Sequence, residues 1–107
     1  MSIHSVRMQD ARTSLMLPLI TTEADAYTQA MDYVDRALEN YTPPENFPSD
    51  GLAMLTELKQ LMDTQGLVDP DGIGLHAVKA KSFTLQQRER FSAVVDELAF
   101  LVAEYSD

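Results

Sequence analysis

A chain of 107 residues with a net charge of −9, 45% apolar content and no cysteine sets the first limits. The length suits one hydrophobic core rather than two, and the apolar fraction is enough to fill it, which excludes global disorder. The lack of cysteine excludes disulfides, thiolate metal sites and cysteine nucleophiles, and fits a reducing, cytoplasmic setting.

The charge is unevenly spread. Residues 21–71 hold eleven of the seventeen acids and only two bases, Arg36 and Lys59, a net charge of −9 that equals that of the whole chain. Residues 1–20 carry +1, 72–95 carry +3 and 96–107 carry −4. Such a field favours a basic partner, or simply keeps a small protein dissolved. Many Leu, Ala, Met, Glu and Gln beside few β-branched residues favour helix. The expected fold is all-α: a single acidic helical domain of three to four helices over 21–107, preceded by an N-terminal arm over 1–20.

In the arm, Ile3 and Val6 precede the apolar run Leu15-Met16-Leu17-Pro18-Leu19-Ile20. The run falls far short of the roughly 20 residues of a membrane span, and Pro18 interrupts it. Arg7 and Arg12 before it and Ala24-Asp25-Ala26 after it faintly imitate a secretory signal, but Asp10 stands in the would-be basic region. The arm reads as a short helix, an extended segment or both, packed on the domain or on a partner.

The clearest helix runs from about Thr22 to Tyr41. Thr22 and Asp25 resemble a capping box, with Glu23 and Asp25 at the positive end of the helix dipole. Tyr27, Ala30, Met31, Val34, Ala37, Leu38 and Tyr41 then recur on one face, while Asp32, Asp35, Arg36 and Glu39 cover the other. Thr42-Pro43-Pro44 stops it. A second helix starts near Ser49 or Asp50, after Pro48, carries Leu52, Leu55, Leu58, Leu61 and Met62 inward, and meets a natural stop at Gly66. A third starts at Thr84, where Thr84 and Gln87 form a capping-box pair, and buries Phe91, Val94, Val95, Leu98, Leu101, Val102 and Tyr105. Between them, Asp69-Pro70-Asp71-Gly72-Ile73-Gly74 is a turn by composition, and Leu75-His76-Ala77-Val78 adds one helical turn.

The turn invites a calcium-loop reading, with Gly74 at the sixth position and Asp69 and Asp71 at the first and third. The fifth is then Ile73 and the twelfth Ala80, where a bidentate Glu is required, so the pattern fails at two ligands. His4 and His76 are the only histidines. His76 with Asp69 and Asp71 is a poor metal set without a further ligand, and no nucleophile or second acid marks a catalytic base. No catalytic residue, metal or cofactor is assigned. Lys79, Lys81, Arg88 and Arg90 are the one place where nucleic acid might be sought, but with a pI near 4.4 and only Phe83 interleaved they read better as an intramolecular counterpart to the acidic half.

The stretch from Leu19 to Leu38, with Thr21-Thr22-Glu23, Tyr27 and Ala30, followed by a Pro-containing loop and Leu52-Ala53-Met54-Leu55-Thr56-Glu57-Leu58, resembles the N-terminal helical hairpin of HigA-type antitoxin regulators. In that family an acidic "T-E-x-x-Y-x-x-A" helix precedes a second Leu-rich helix. The resemblance covers residues 19–62, under half the chain. The family continues into a helix-turn-helix, for which residues 67–83 leave too little room, so operator binding is not carried over. It implies a helical hairpin suited to oligomerisation or to holding a partner.

The expected function is non-enzymatic: a small acidic helical protein that binds a basic protein partner and modulates or neutralises it, in the manner of an antitoxin, inhibitor or chaperone. Asp32, Asp35, Glu39, Asp50 and Glu57 are the candidate partner-binding residues, steering a basic surface. The alternatives are a self-assembling helical protein, which makes a homo-oligomer, and a nucleic-acid mimic. Direct nucleic-acid and membrane binding are not expected.

Overall fold

The computed structural model of the protein describes residues 3–16 and 23–106. Among these there are five helices and no strand: α1 (Ile3–Met16), α2 (Glu23–Leu38), α3 (Ser49–Leu61), α4 (Leu75–Ser82) and α5 (Leu85–Ser106). The expected all-α fold is what is found. None of the helices is long and apolar enough to cross a membrane.

The longest helix, α5, is the spine. Phe91, Val94, Val95, Leu98, Ala99 and Val102 are each at most 1% exposed, while Leu101 and Tyr105 pack at the margin. Its start is set locally. Thr84 N donates to Gln87 Oε1 at 2.8 Å and Gln87 N to Thr84 Oγ1 at 3.1 Å, the reciprocal bonds of a capping box. Thr84→Ala removes the hydroxyl acceptor and is expected to cost about 1 kcal/mol. Thermal denaturation should register a drop of roughly 5 °C, and an unchanged midpoint would show that the cap contributes nothing.

Of the conformations open to the N-terminal arm, the structure takes the helix, and α1 packs between α2 and α5. Its inward line is Ser5, Met8, Ala11 and Ser14, none more than 8% exposed, so small side chains let the backbones approach. Gln9 Nε2 donates to the Ala99 carbonyl at 3.2 Å and Arg12 pairs with Asp96, which sets α1 antiparallel to α5. Leu15 packs against the core and Met16 ends α1; residues 17–20 of the apolar run, and the Thr22 half of the expected capping box, lie outside the described residues.

Helix α2 buries Ala30, Met31, Val34 and Ala37 as its period requires, with Tyr27, Leu38 and Tyr41 half-buried. It ends at Leu38 rather than Tyr41, because Asn40 adopts a left-handed φ of 58° that turns the chain away before the prolines. Helix α4 packs on α2 and runs to Ser82, one turn further than expected. Phe83 then enters an aromatic cluster, with ring centroids 6.0 Å from Tyr27 and 5.7 Å from Phe91.

Helix α3 begins at Ser49 after Pro48 as expected, and Leu55, Leu58, Leu61 and Met62 pack inward as expected. Leu52 does not: it is 46% exposed, and Gly51 points inward beside Leu55 and Leu58. The reason is Phe47, 5% exposed and edge-on to Tyr105 at 5.9 Å, which occupies the space beside Gly51. The helix stops at Leu61; Gly66 serves the following turn with φ 83°. Helix α3 packs on α5 but not on α2, leaving an open groove between the second and third helices.

Candidate functional site

The five carboxylates singled out from the sequence do not form one patch. Asp32, Asp35 and Glu39 stand along α2 and its end. Asp50 and Glu57, seven residues apart, share one side of α3, and Glu57 reaches α5 from it. There Glu57 takes Arg90 in a two-pronged pair, with Arg90 Nη2 donating to Oε1 at 2.6 Å and Nε donating to Oε2. The basic segment thus supplies an intramolecular counterpart at Arg90.

These hydrogen bonds hold the Glu57 carboxyl below its ordinary value of 4.5, against a smaller opposing effect of burial, and the charge of Arg90 acts in the same direction as the bonds. The sign follows. A depressed folded value means that the pair's stabilisation is complete above 4.5 and is lost as pH falls through the lowered value. The stability gap between wild type and Arg90→Gln should therefore be open at about pH 6 and close at about pH 2. A gap of constant size across acid denaturation curves would contradict the pairing.

Asp32 and Asp35 flank His76 of α4. His76 Nδ1 lies 2.6 Å from Asp32 Oδ1 and Nε2 lies 3.4 Å from Asp35 Oδ2. Both ring nitrogens face carboxylates. The sequence placed His76 nearer Asp69 and Asp71. Asp69 is instead spent on its own turn, accepting from Ile73 N at 2.9 Å and Gly74 N at 2.8 Å. No group of three His, Asp or Glu among the described residues is placed to hold a metal ion.

Asp35 and Glu39 also line the groove between α2 and α3, a cavity of about 630 Å³. Its apolar lining is Val34 and Leu38 from one helix and Leu58 and Met62 from the other, with Arg36 and Lys59 as the only bases. A smaller cavity of about 210 Å³ shares Leu38 and Lys59 with it and adds Tyr41, Pro43, Leu52 and Leu55. The exposed Leu52 therefore belongs to the groove rather than to the core. Sequence reasoning found the acids but missed this apolar floor.

No protein-family model matches the chain, and neither a curated protein nor a solved structure gives a significant match.

Proposed function

We propose that this protein is a non-enzymatic binding module that docks a basic protein partner in the α2–α3 groove and thereby modulates or neutralises it, in the manner of an antitoxin, inhibitor or chaperone. The observation that carries this reading is an apolar floor with carboxylates at its lip: half-buried Leu38 and Met62 over the buried Val34 and Leu58, beside Asp35 and Glu39. Apolar area supplies affinity on desolvation, and the lip charges steer approach and orient the partner. Asp35 lies 3.4 Å from His76 Nε2, so Glu39 is the less committed of the two. Lys59 on the opposite wall gives the groove a polarity that favours one orientation of the occupant.

Site-specific photo-crosslinking in the source cell tests the location. A photoreactive residue at position 59 should trap a basic protein, and one at Leu85, 71% exposed at the start of α5, should not. Equal yields from both positions, or none from position 59, would remove the groove from the account. Self-association is the second reading, favoured by Phe100, which stands 60% exposed on the outer face of α5 among Asp96, Glu97 and Glu104. Sedimentation over a range of concentrations separates the two readings.

A further inference from the structure

With seventeen acids against eight Lys and Arg, a carboxylate should be within easy reach of every base. Arg12 takes Asp96 and Arg90 takes Glu57, as expected of such a chain. Arg7 and Arg36, like Lys59, Lys79 and Lys81, make no ion pair among the described residues, and the fold brings these two arginines to one cavity. This cavity, of about 510 Å³, lies where the first turns of α1 meet the end of α2, and Ile3, His4, Glu39 and Asn40 complete its lining.

The site is built on fixed contacts. His4 Nδ1 donates to the Ala37 carbonyl at 2.5 Å, and its ring stands edge-on to Tyr41 at 4.9 Å, so the start of α1 is clamped to the end of α2. Asn40, at φ 58°, turns the chain aside at the same place and leaves the cavity open. Two guanidiniums lining one cavity repel each other unless negative charge comes between them, and their planar forks match phosphate oxygens.

We propose that this cavity binds the phosphate group of a small solute, either inorganic phosphate or a phosphate monoester, with Arg7 and Arg36 holding its oxygens. The net charge of −9 opposes any anion, but physiological salt screens charges beyond about 8 Å, so the two nearby guanidiniums outweigh the distant carboxylates. Glu39 is the one carboxylate in the lining and works against the ligand. Glu39 also lines the α2–α3 groove, which separates this proposal from the docking of a protein: Glu39→Gln should tighten phosphate while it slows a basic partner.

The test is titration of the whole chain with inorganic phosphate, followed by calorimetry and by the melting temperature, against sodium chloride at equal ionic strength. Phosphate also stabilises proteins without binding, through exclusion from their surface, so the variants decide. Saturable binding is expected, weakened about tenfold or more by Arg7→Gln and by Arg36→Gln, as for the loss of a charge-assisted hydrogen bond. Lys79→Gln, outside the cavity, should leave it unchanged, and circular dichroism confirms that each variant is folded. Glycerol phosphate in a parallel titration tells the sources apart: tighter binding than inorganic phosphate assigns an organic monoester, weaker binding assigns the free ion. No saturable heat, or a melting shift that the Arg7→Gln, Arg36→Gln double variant keeps in full, overturns the proposal.

Discussion

Phe91→Ala is expected to cost about 3–5 kcal/mol, the range for truncating a fully buried aromatic. Phe91 is 0% exposed and stands within 6 Å, ring to ring, of both Tyr27 and Phe83. Its removal therefore empties the place where α2, α5 and the end of α4 meet, and it loses an edge-on contact with Tyr27 and a tilted one with Phe83 as well. A domain of this length holds roughly 5–15 kcal/mol in total, so the variant should be close to half-unfolded if the protein lies at the low end. Denaturant titration is the measurement, with the midpoint falling and the slope unchanged. A cost below about 1.5 kcal/mol would mean that the cluster is not the centre of the core.

Gly51→Val should be nearly as damaging, at about 2–3 kcal/mol, for the opposite reason. A Cβ at this position would stand 2.5 Å from Phe47 Cε2 and 3.1 Å from Leu101 Cδ1. Replacing a helical glycine normally gains up to about 1 kcal/mol of helix propensity, though a β-branched residue recovers only part of that. Overpacking wins because Phe47 is itself held between Tyr105 and α3 and has little room to swing. The diagnostic is a double-mutant cycle with Phe47→Ala. Once the ring is gone, the valine should cost much less, a coupling of 1 kcal/mol or more being usual for residues in direct contact. Additive effects would show that the clash is not the cause.

These two residues also mark where the sequence could and could not be read. Phe91 sits on a long stripe of period 3.6 that announces itself, as do the α2 stripe and the Thr84–Gln87 cap. Gly51 and Phe47 carry no such signal. A glycine counts as nothing in an apolar pattern, so the stripe of Leu52, Leu55, Leu58, Leu61 and Met62 includes the exposed Leu52 and passes over the buried Gly51. Helix α1 was ambiguous for a related reason: Ser5 and Ser14 are buried beside Met8 and Ala11, and the eye takes serines for the outside. At the candidate site, the carboxylates were legible one by one, but their partners were not. His76 lies 44 residues from Asp32, and Arg90 33 from Glu57, so only the packing of α4 on α2 and of α5 on α3 brings them together. The groove escaped because it is a space between two helices, and spacing along one chain segment does not report it.

The central claim is that Asp35 and Glu39 steer a basic partner into that groove. Its most direct measurement is the association rate of the partner trapped from position 59, at low and at high salt, for wild type and for Asp35→Asn, Glu39→Gln. Surface replacements of this kind change stability by within about 0.5 kcal/mol, and a melt confirms that α4 has stayed in place despite the loss of the His76 contact. The predicted result is an on-rate that falls about tenfold at low salt, a flattened salt dependence and a dissociation rate that barely moves. An on-rate and salt slope identical to those of wild type would contradict the claim and leave the acidic charge as a coat that only keeps the protein dissolved.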